Sequence, residues 1–273
     1  MPAKKESQSN RKRNTKKEKG QQLESGVRTF KGFDKEAWKP KTLLGKKVKS
    51  GEITSISEIL ERGNKILESE IVDTLLPDLE SDLMKIGQSK GKFGGGKRSI
   101  WKQTQKKTKQ GNRPKFSAVS ILGNRNGYVG IGRGKSKETV PAREKATRQA
   151  KLAIIEIRRG CGTWACGCGE PHSIPFKVEG KCGSVKVKLI PAAKGTGLVA
   201  EPECKKLLEF AGIKDVYSKT FGQTKTKTNL LTACFRALKQ LRKIKVPEHY
   251  AEKAGVVEGK VNKKTEEETN KNE

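Results

Sequence analysis

The spacing of apolar positions changes several times along the chain, and each change marks a candidate element. Between residues 51 and 82, Ile56, Ile59, Leu60, Ile66, Leu67, Ile71 and Leu75 recur at helical intervals, and Ser55 followed by Glu58 fits a capping box. The pattern predicts an amphipathic helical segment that packs on the body of the protein or meets a basic protein. Farther on the period shortens to two. Phe116 to Leu122 alternates, Gly123-Asn124-Arg125-Asn126-Gly127 is turn material, and Tyr128 to Gly132 reads as the returning strand of an antiparallel hairpin or meander. Pro141 then stands at a first helical position, and Ala142, Ala146, Ala150, Ala153, Ile154 and Ile157 form one apolar stripe.

A second unit follows. Ser173 to Val178, Ser184 to Ile190 and Val216 to Thr220 read as strands, and Pro202 to Ala211 as a short helix. A longer helix, Asn229 to Leu241, carries Leu230, Ala233, Cys234, Ala237, Leu238 and Leu241 on one side and is stopped by Pro247. The predicted class is α+β: an antiparallel sheet with a helix, then a second unit of strands and helices. The divisions are a basic arm over 1–50, an acidic helical segment over 51–86 and a first domain over 87–160. A cysteine-rich linker covers 161–172, the second domain 173–245 and a C-terminal extension 246–273, whose end from Glu258 onward reads as disordered.

Charge sharpens this division. The 273 residues include 60 Lys or Arg and 30 Asp or Glu, a formal net charge of +30, which calls for a polyanionic partner. Residues 1–50 hold sixteen cations and five acids without apolar periodicity, so this arm is either a solvated tail or a segment that orders on RNA. Residues 51–82 invert the sign, with nine acids and two bases. From Leu83 to Lys137 there are fifteen cations and no acid, with Gly94-Gly95-Gly96, Ser99-Ile100-Trp101 and the loop Lys107 to Arg113 inside that span. No stretch nears the roughly 20 apolar residues of a membrane span, and the N-terminus lacks a signal-peptide core, so a cytosolic protein without a membrane partner is expected.

Catalytic chemistry finds little material. The chain has two histidines, His172 and His249, and beyond Leu83 a single aspartate, Asp215, too few for a nucleophile, base and orienting group. Gly132-Arg133-Gly134-Lys135-Ser136 looks like the end of a phosphate-binding loop, but Val129 stands where that motif demands glycine. Its glycines leave two readings: a backbone approach to RNA phosphate with Arg133, Lys135 and Lys137 supplying charge, or a flexible turn with solvated cations. Cys161, Cys166, Cys168 and His172 offer soft donors at spacings of five, two and four, suited to one tetrahedral structural zinc or left as free thiols in a tight loop. Cys182, Cys204 and Cys234 fall in or beside apolar segments and read as small core residues.

At this point a resemblance becomes specific. The run KTKQGNRPKFSAVSILGNRNGYVGIGRGKSKETVPAREKATRQAKLAIIEI, ending at Ile157, resembles the first domain of the universal small-subunit ribosomal protein number five family, called number two in eukaryotes. SIPFKVEGKCGSVKVKLIPAAKGTGLVAEPECKKLLEFAGIKDVYSKTFGQTKTKTNLLTACFRAL resembles its second domain, and the linking segment CGTWACGCGEPHSIPF looks like the archaeal form. The resemblance implies a first domain similar to a double-stranded-RNA-binding fold, a second, βαβ-type two-layer domain, and a role in the cytoplasmic small ribosomal subunit. It further implies contacts with small-subunit ribosomal RNA and with small-subunit proteins four and eight, a position near the side where messenger RNA enters, a part in decoding accuracy, and no homo-oligomer. By the same resemblance Lys107, Lys109, Arg113 and Lys115 lie in a loop reaching RNA, Arg125, Arg133, Lys135 and Lys137 in a cationic hairpin and loop, and Gly195, Thr196, Gly197 and Lys205 in the region facing protein four. Two rival classes share the composition: a free-standing regulator or processing factor that binds structured RNA, and an NTP-dependent RNA enzyme.

Overall fold

The computed structural model describes residues 28–29, 35–89 and 98–259. The first 27 residues of the basic arm, Gly94-Gly95-Gly96 and the tail beyond residue 259 lie outside them, and with them the expectations of an RNA-ordered arm and of disorder through residue 273. The first elements are β1 (Arg28–Thr29), α1 (Leu43–Ser50), α2 (Ile56–Glu61), α3 (Ser69–Leu75) and β2 (Glu80–Leu83). The predicted boundary at residue 50 therefore falls at the end of a helix. In α1, Thr42 caps the start by accepting from the Gly45 amide at 3.0 Å, and Gly51, at φ 86°, closes the end. Trp38 and Val48 are buried with Ile53, Ile56, Ile59, Ile66 and Ile71 in one cluster, so residues 38–79 fold as one small module. Glu68 ties it together, accepting from Trp38 Nε1 at 3.1 Å and from the Lys41 and Thr42 amides at 2.9 and 2.6 Å. Burial pushes the Glu68 carboxyl up, but these donors outweigh it and hold it below its ordinary range.

The acidic stretch forms two short helices instead of one. Asn64 N bonds Ile59 O past Gly63, whose φ of 70° suits glycine and ends α2. Ser55 caps through the Ser57 amide at 3.2 Å.

The first sheet adds β3 (Lys102–Thr108), β4 (Gly111–Gly123) and β5 (Tyr128–Ser136). After them come α4 (Thr139–Leu152), β6 (Ile154–Glu156) and β7 (Arg158–Arg159). Its strand order is β1-β2-β4-β5-β6, antiparallel throughout, with β3 paired to β4. Helix α4 starts two residues before Pro141 and ends at Leu152, so Ile154 belongs to the following strand and Ile157 lies just past it. Its buried face is Ala142, Ala146 and Ala150.

The second unit contains β8 (Val178–Cys182), β9 (Val185–Pro191), β10 (Leu198–Val199), α5 (Pro202–Phe210), β11 (Val216–Phe221) and α6 (Lys227–Lys243). The sheet order is β10-β11-β9-β8, and the parallel β10–β11 pair joined through α5 is the βαβ unit. Ser173–Phe176 forms no strand; buried Ser173 makes a single antiparallel bridge to Gly160, and buried Ile174 leads on toward β8. The last elements are α7 (Glu248–Lys253), with Pro247 at its N-cap position, and β12 (Val257–Glu258), which pairs with β7. The C-terminal extension thus returns to the first domain, and Glu258, expected to open a disordered end, is a strand residue instead because it pairs with Arg158.

One apolar core spans both units. Met84, Ile86, Val119, Ile121 and Val129 of the first meet Leu207, Leu208, Phe210, Leu231 and Leu238 on α5 and α6, and Val178, Val187 and Leu189 close the cluster from the second sheet. Helices α5 and α6 therefore lie between two sheets, while α4 and the N-terminal module cover the far side of the first. A polar node crosses these layers. Ser57 Oγ sits 2.6 Å from Tyr128 Oη and donates to Glu156 Oε1 at 2.9 Å, and Arg242 of α6 approaches Glu156 Oε2 at 3.2 Å.

Candidate nucleic-acid interface and cysteine cluster

β4 is longer than the sheet that holds it. Its pairing with β5 begins at Phe116, so Thr104–Lys115 projects as a two-stranded ribbon closed at Lys109-Gln110, with Lys102 at its base opposite Ser117. Residues 102–107 and 109–115 are exposed. A bare two-stranded ribbon is marginal in water, and this one also sets Lys106 directly opposite Arg113 and Thr104 opposite Lys115. Alternation puts Lys102, Lys106, Arg113 and Lys115 on one face, with Lys107 on the other and Lys109 at the tip. Like charges facing each other across strands are unfavourable, and a phosphate chain laid along this face would neutralise them. Lys102 and Lys106 were absent from the sequence-predicted set, although period-two counting back from Arg113 through a two-residue turn would have found them. Pro114 is tolerated because that stretch of β4 has β3 as a neighbour on one side alone.

The other predicted cations fare differently. Gly132-Arg133-Gly134-Lys135 is not a loop but the interior of β5. A Cβ on Gly130, Gly132 or Gly134 would collide with backbone of α4 at Ala142, Ala146 and Ala150, so these glycines serve close helix-on-sheet packing and do not face a phosphate. Arg133, on the opposite face, donates through Nη2 to Thr228 O at 2.8 Å and Thr232 Oγ1 at 2.5 Å of α6. Lys135 and Lys137 are exposed. Arg125, with φ 55°, sits in a turn docked on the end of α5, where its amide donates to Phe210 O at 3.1 Å. Its guanidinium pairs with Glu80 at 2.8 Å and lies 6.0 Å from the Phe210 ring centre. Both arginines thus join the two units.

Cys161, Cys166, Cys168 and His172 converge, with their ligand atoms all within 4.8 Å of one another. Tetrahedral zinc–thiolate bonds near 2.3 Å place sulfurs about 3.8 Å apart, so small adjustments would accommodate an ion. His172 Nε2 lies 3.9 Å from Cys166 Sγ, while Nδ1 is held by Asp215 Oδ2 at 2.8 Å, the carboxylate–imidazole arrangement that orients histidine ligands. Asp215 was seen in the sequence as a lone aspartate, not as this support. The backbone amide of Lys194, then that of Cys168, lowers the Cys166 thiol to about 6, whereas burial pushes Cys168 up to about 11. Asp215 Oδ1 also accepts from Gly197 N at 2.7 Å, which ties the loop of Gly195, Thr196 and Gly197 to the cluster. Lys205 lies apart from that loop in sequence, on α5. Trp164, between the first two cysteines, is 99% exposed. Cys204 and Cys234 are buried in the shared core, and Cys182 packs against it half-buried. Among the described residues no helix is long and apolar enough to cross a membrane.

Comparison with known proteins adds the family dimension. Residues 100–158 match the family described as "Ribosomal protein S5, N-terminal domain", and residues 180–253 match "Ribosomal protein S5, C-terminal domain". The chain is 49% identical over 229 residues to the small ribosomal subunit protein uS5 of Methanocaldococcus jannaschii, covering 84% of this chain and 99% of that one. It is 50% identical over 226 residues to the protein of the same name from Nanoarchaeum equitans, covering 83% and 97%. With that of Thermofilum pendens the figure is 47% over 213 residues, covering 78% and 98%.

Proposed function

The chain belongs to the ribosomal protein S5 family, and we propose that its projecting ribbon is where it grips ribosomal RNA. Its role is structural: it is a constituent of the small ribosomal subunit that binds ribosomal RNA, and not an enzyme. The observation behind the ribbon assignment is that Lys102, Lys106, Arg113 and Lys115 share one exposed face without an acid between Leu83 and Lys137. Lys107 and Lys109 extend the charge to the second face and the tip. Backbone-directed contacts of this kind suit RNA, whose helices are recognised largely through shape and phosphates. Lys135 and Lys137 continue the cationic surface, with Arg125 and Arg133 acting chiefly as ties between the two units.

The finer roles implied by the family resemblance fit this placement. We assign the Gly195–Gly197 loop, with Lys205, to contact with small-subunit protein four and hence to decoding accuracy, and a further contact to protein eight, near the side where messenger RNA enters. The donor set of Cys161, Cys166, Cys168 and His172 fits one structural zinc, which would fix the linker between the units. The test is sedimentation. A chain with Lys102, Lys106, Arg113 and Lys115 changed to glutamine should remain folded yet fail to travel with small subunits in a sucrose gradient. Normal co-sedimentation would refute the ribbon assignment.

A further inference from the structure

The second sheet has an inner face covered by α6 and an outer face that none of the described residues covers. A Cβ at Gly180 would collide with Ala233 O of α6, which fixes Val178, Gly180, Val187 and Leu189 on the inner side. The register then lays out the outer side in rows: Val199, Tyr217 and Ile190; Lys219, Lys188 and Glu179; Phe221, Lys186 and Lys181. Tyr217 and Phe221 are 44% and 41% exposed, unusual for large rings on a sheet with a well-packed opposite face. Lys188 and Lys219 hold their ammonium groups 5.6 and 5.8 Å from the Phe221 ring centre. The one acid, Glu179, is already paired with Lys188 at 2.6 Å. Four lysines therefore surround two exposed rings on a twisted antiparallel surface.

We infer that this outer face is a second RNA-binding surface, separate from the ribbon, that takes an unpaired RNA segment by stacking bases on Tyr217 and Phe221 while Lys181, Lys186, Lys188 and Lys219 neutralise its phosphates. It rests on the reading above that the chain binds ribosomal RNA. Charge complementarity selects the occupant: with Glu179 offsetting Lys188, Lys181, Lys186 and Lys219 leave a net excess of three positive charges that favours a polyanion, and exposed rings offer every base a stacking surface whatever its sequence. A duplex would present phosphates but no free base faces, so the rings would gain nothing from it. The two surfaces thus divide the work, backbone of structured RNA on the ribbon and splayed bases on the sheet.

The test uses the full chain and two fluorescent probes, an oligouridylate of about 12 nucleotides and an RNA duplex of about 16 base pairs, at roughly 0.2 M salt. Tyr217→Ala with Phe221→Ala alters no charge. It should weaken oligouridylate binding about tenfold or more, since the stacked bases lose their aromatic platforms, while duplex affinity stays within about twofold. Tyr217→Phe with Phe221→Tyr should restore the oligouridylate affinity. Equal losses on both probes, or an unchanged oligouridylate affinity, overturn the inference and leave the face to a protein partner. A wild-type chain that binds neither probe overturns the RNA-binding assignment itself, an outcome distinct from the first two.

Discussion

Replacing Gly132 by alanine adds one methyl group between β5 and α4. At that position the new carbon would lie 2.8 Å from Ala150 Cα, about 0.6 Å inside the 3.4 Å at which ordinary contact begins, and closer still to Ala146 O and Ala150 N. All three obstacles are helix backbone, so no side chain can swing aside and α4 must retreat as a body. Retreat loosens Ala142, Ala146 and Ala150, which are fully buried against the sheet. Overpacking commonly costs about 1–3 kcal/mol, and a rigid obstacle puts this case at the upper end. At roughly 2–4 °C per kcal/mol for a chain of this size, about 3 kcal/mol lowers the melting temperature by roughly 6–12 °C. The assay is thermal unfolding of RNA-free protein followed by circular dichroism, with RNA affinity measured well below the transition. A phosphate-cradling glycine would behave oppositely, leaving the RNA-free melting temperature untouched and reducing affinity. An unchanged melting point therefore refutes the packing role.

Further outcomes follow from the same geometry. Neutralising Lys106 and Arg113 should flatten the salt dependence of RNA binding by about 0.9 in log–log slope for each phosphate that is no longer neutralised; a salt titration by fluorescence anisotropy with an unaltered slope would contradict the ribbon assignment. Purified protein should hold close to one equivalent of zinc by atomic emission, and Asp215→Asn should weaken its hold roughly 10–100-fold in competition with a chromophoric chelator. Arg125→Ala should cost about 1 kcal/mol, since its carboxylate pair is largely exposed and its ring contact adds a comparable small amount. RNA affinity should then hold within about twofold, and a larger drop would return Arg125 to the binding surface. Glu68→Gln should loosen residues 38–42, seen as faster tryptic cleavage after Lys41, since Pro40 protects Lys39. Because the Glu68 carboxyl is held below its ordinary value, its contribution is complete at neutral pH and fades as acid protonates it in the folded state.

Much of this molecule could be read from its residues, and the failures have specific causes. The β4–β5 hairpin, the helix under Ala142, Ala146 and Ala150, and the helices α5 and α6 of the second unit were legible because period two and period 3.6 are imposed locally by burial on one face, whereas the βαβ arrangement of that unit came from the family resemblance. Helix α1 was not. Three apolar anchors, Trp38, Leu44 and Val48, sit among so many lysines that composition pointed to a solvated arm, and their partners lie up to thirty residues away at Glu68. The acidic stretch looked like one helix because the apolar interval continues across Gly63, where a single left-handed residue breaks the hydrogen-bond ladder. At the site, charge located the ribbon but could not say which cations were spoken for. Arg125 and Arg133 look as available as Lys115 in sequence, yet their partners, Glu80 and α6, are brought to them only by tertiary packing. Glycines in Gly132-Arg133-Gly134 were ambiguous for the same reason: what a missing side chain makes room for depends on what lies opposite.

The core shared by Ile121, Val129, Leu207 and Leu238 has a consequence for how the protein is made. The spans matched separately as N- and C-terminal domains are halves of one folding unit, and the first leaves the ribosome with its apolar sheet face bare. Until some eighty further residues emerge, Val119, Ile121 and Val129 have nothing to lie against, and such faces invite clumping. Newborn chains therefore carry that face uncovered until the second span has emerged, and a pause in synthesis between residues 160 and 200 prolongs its exposure.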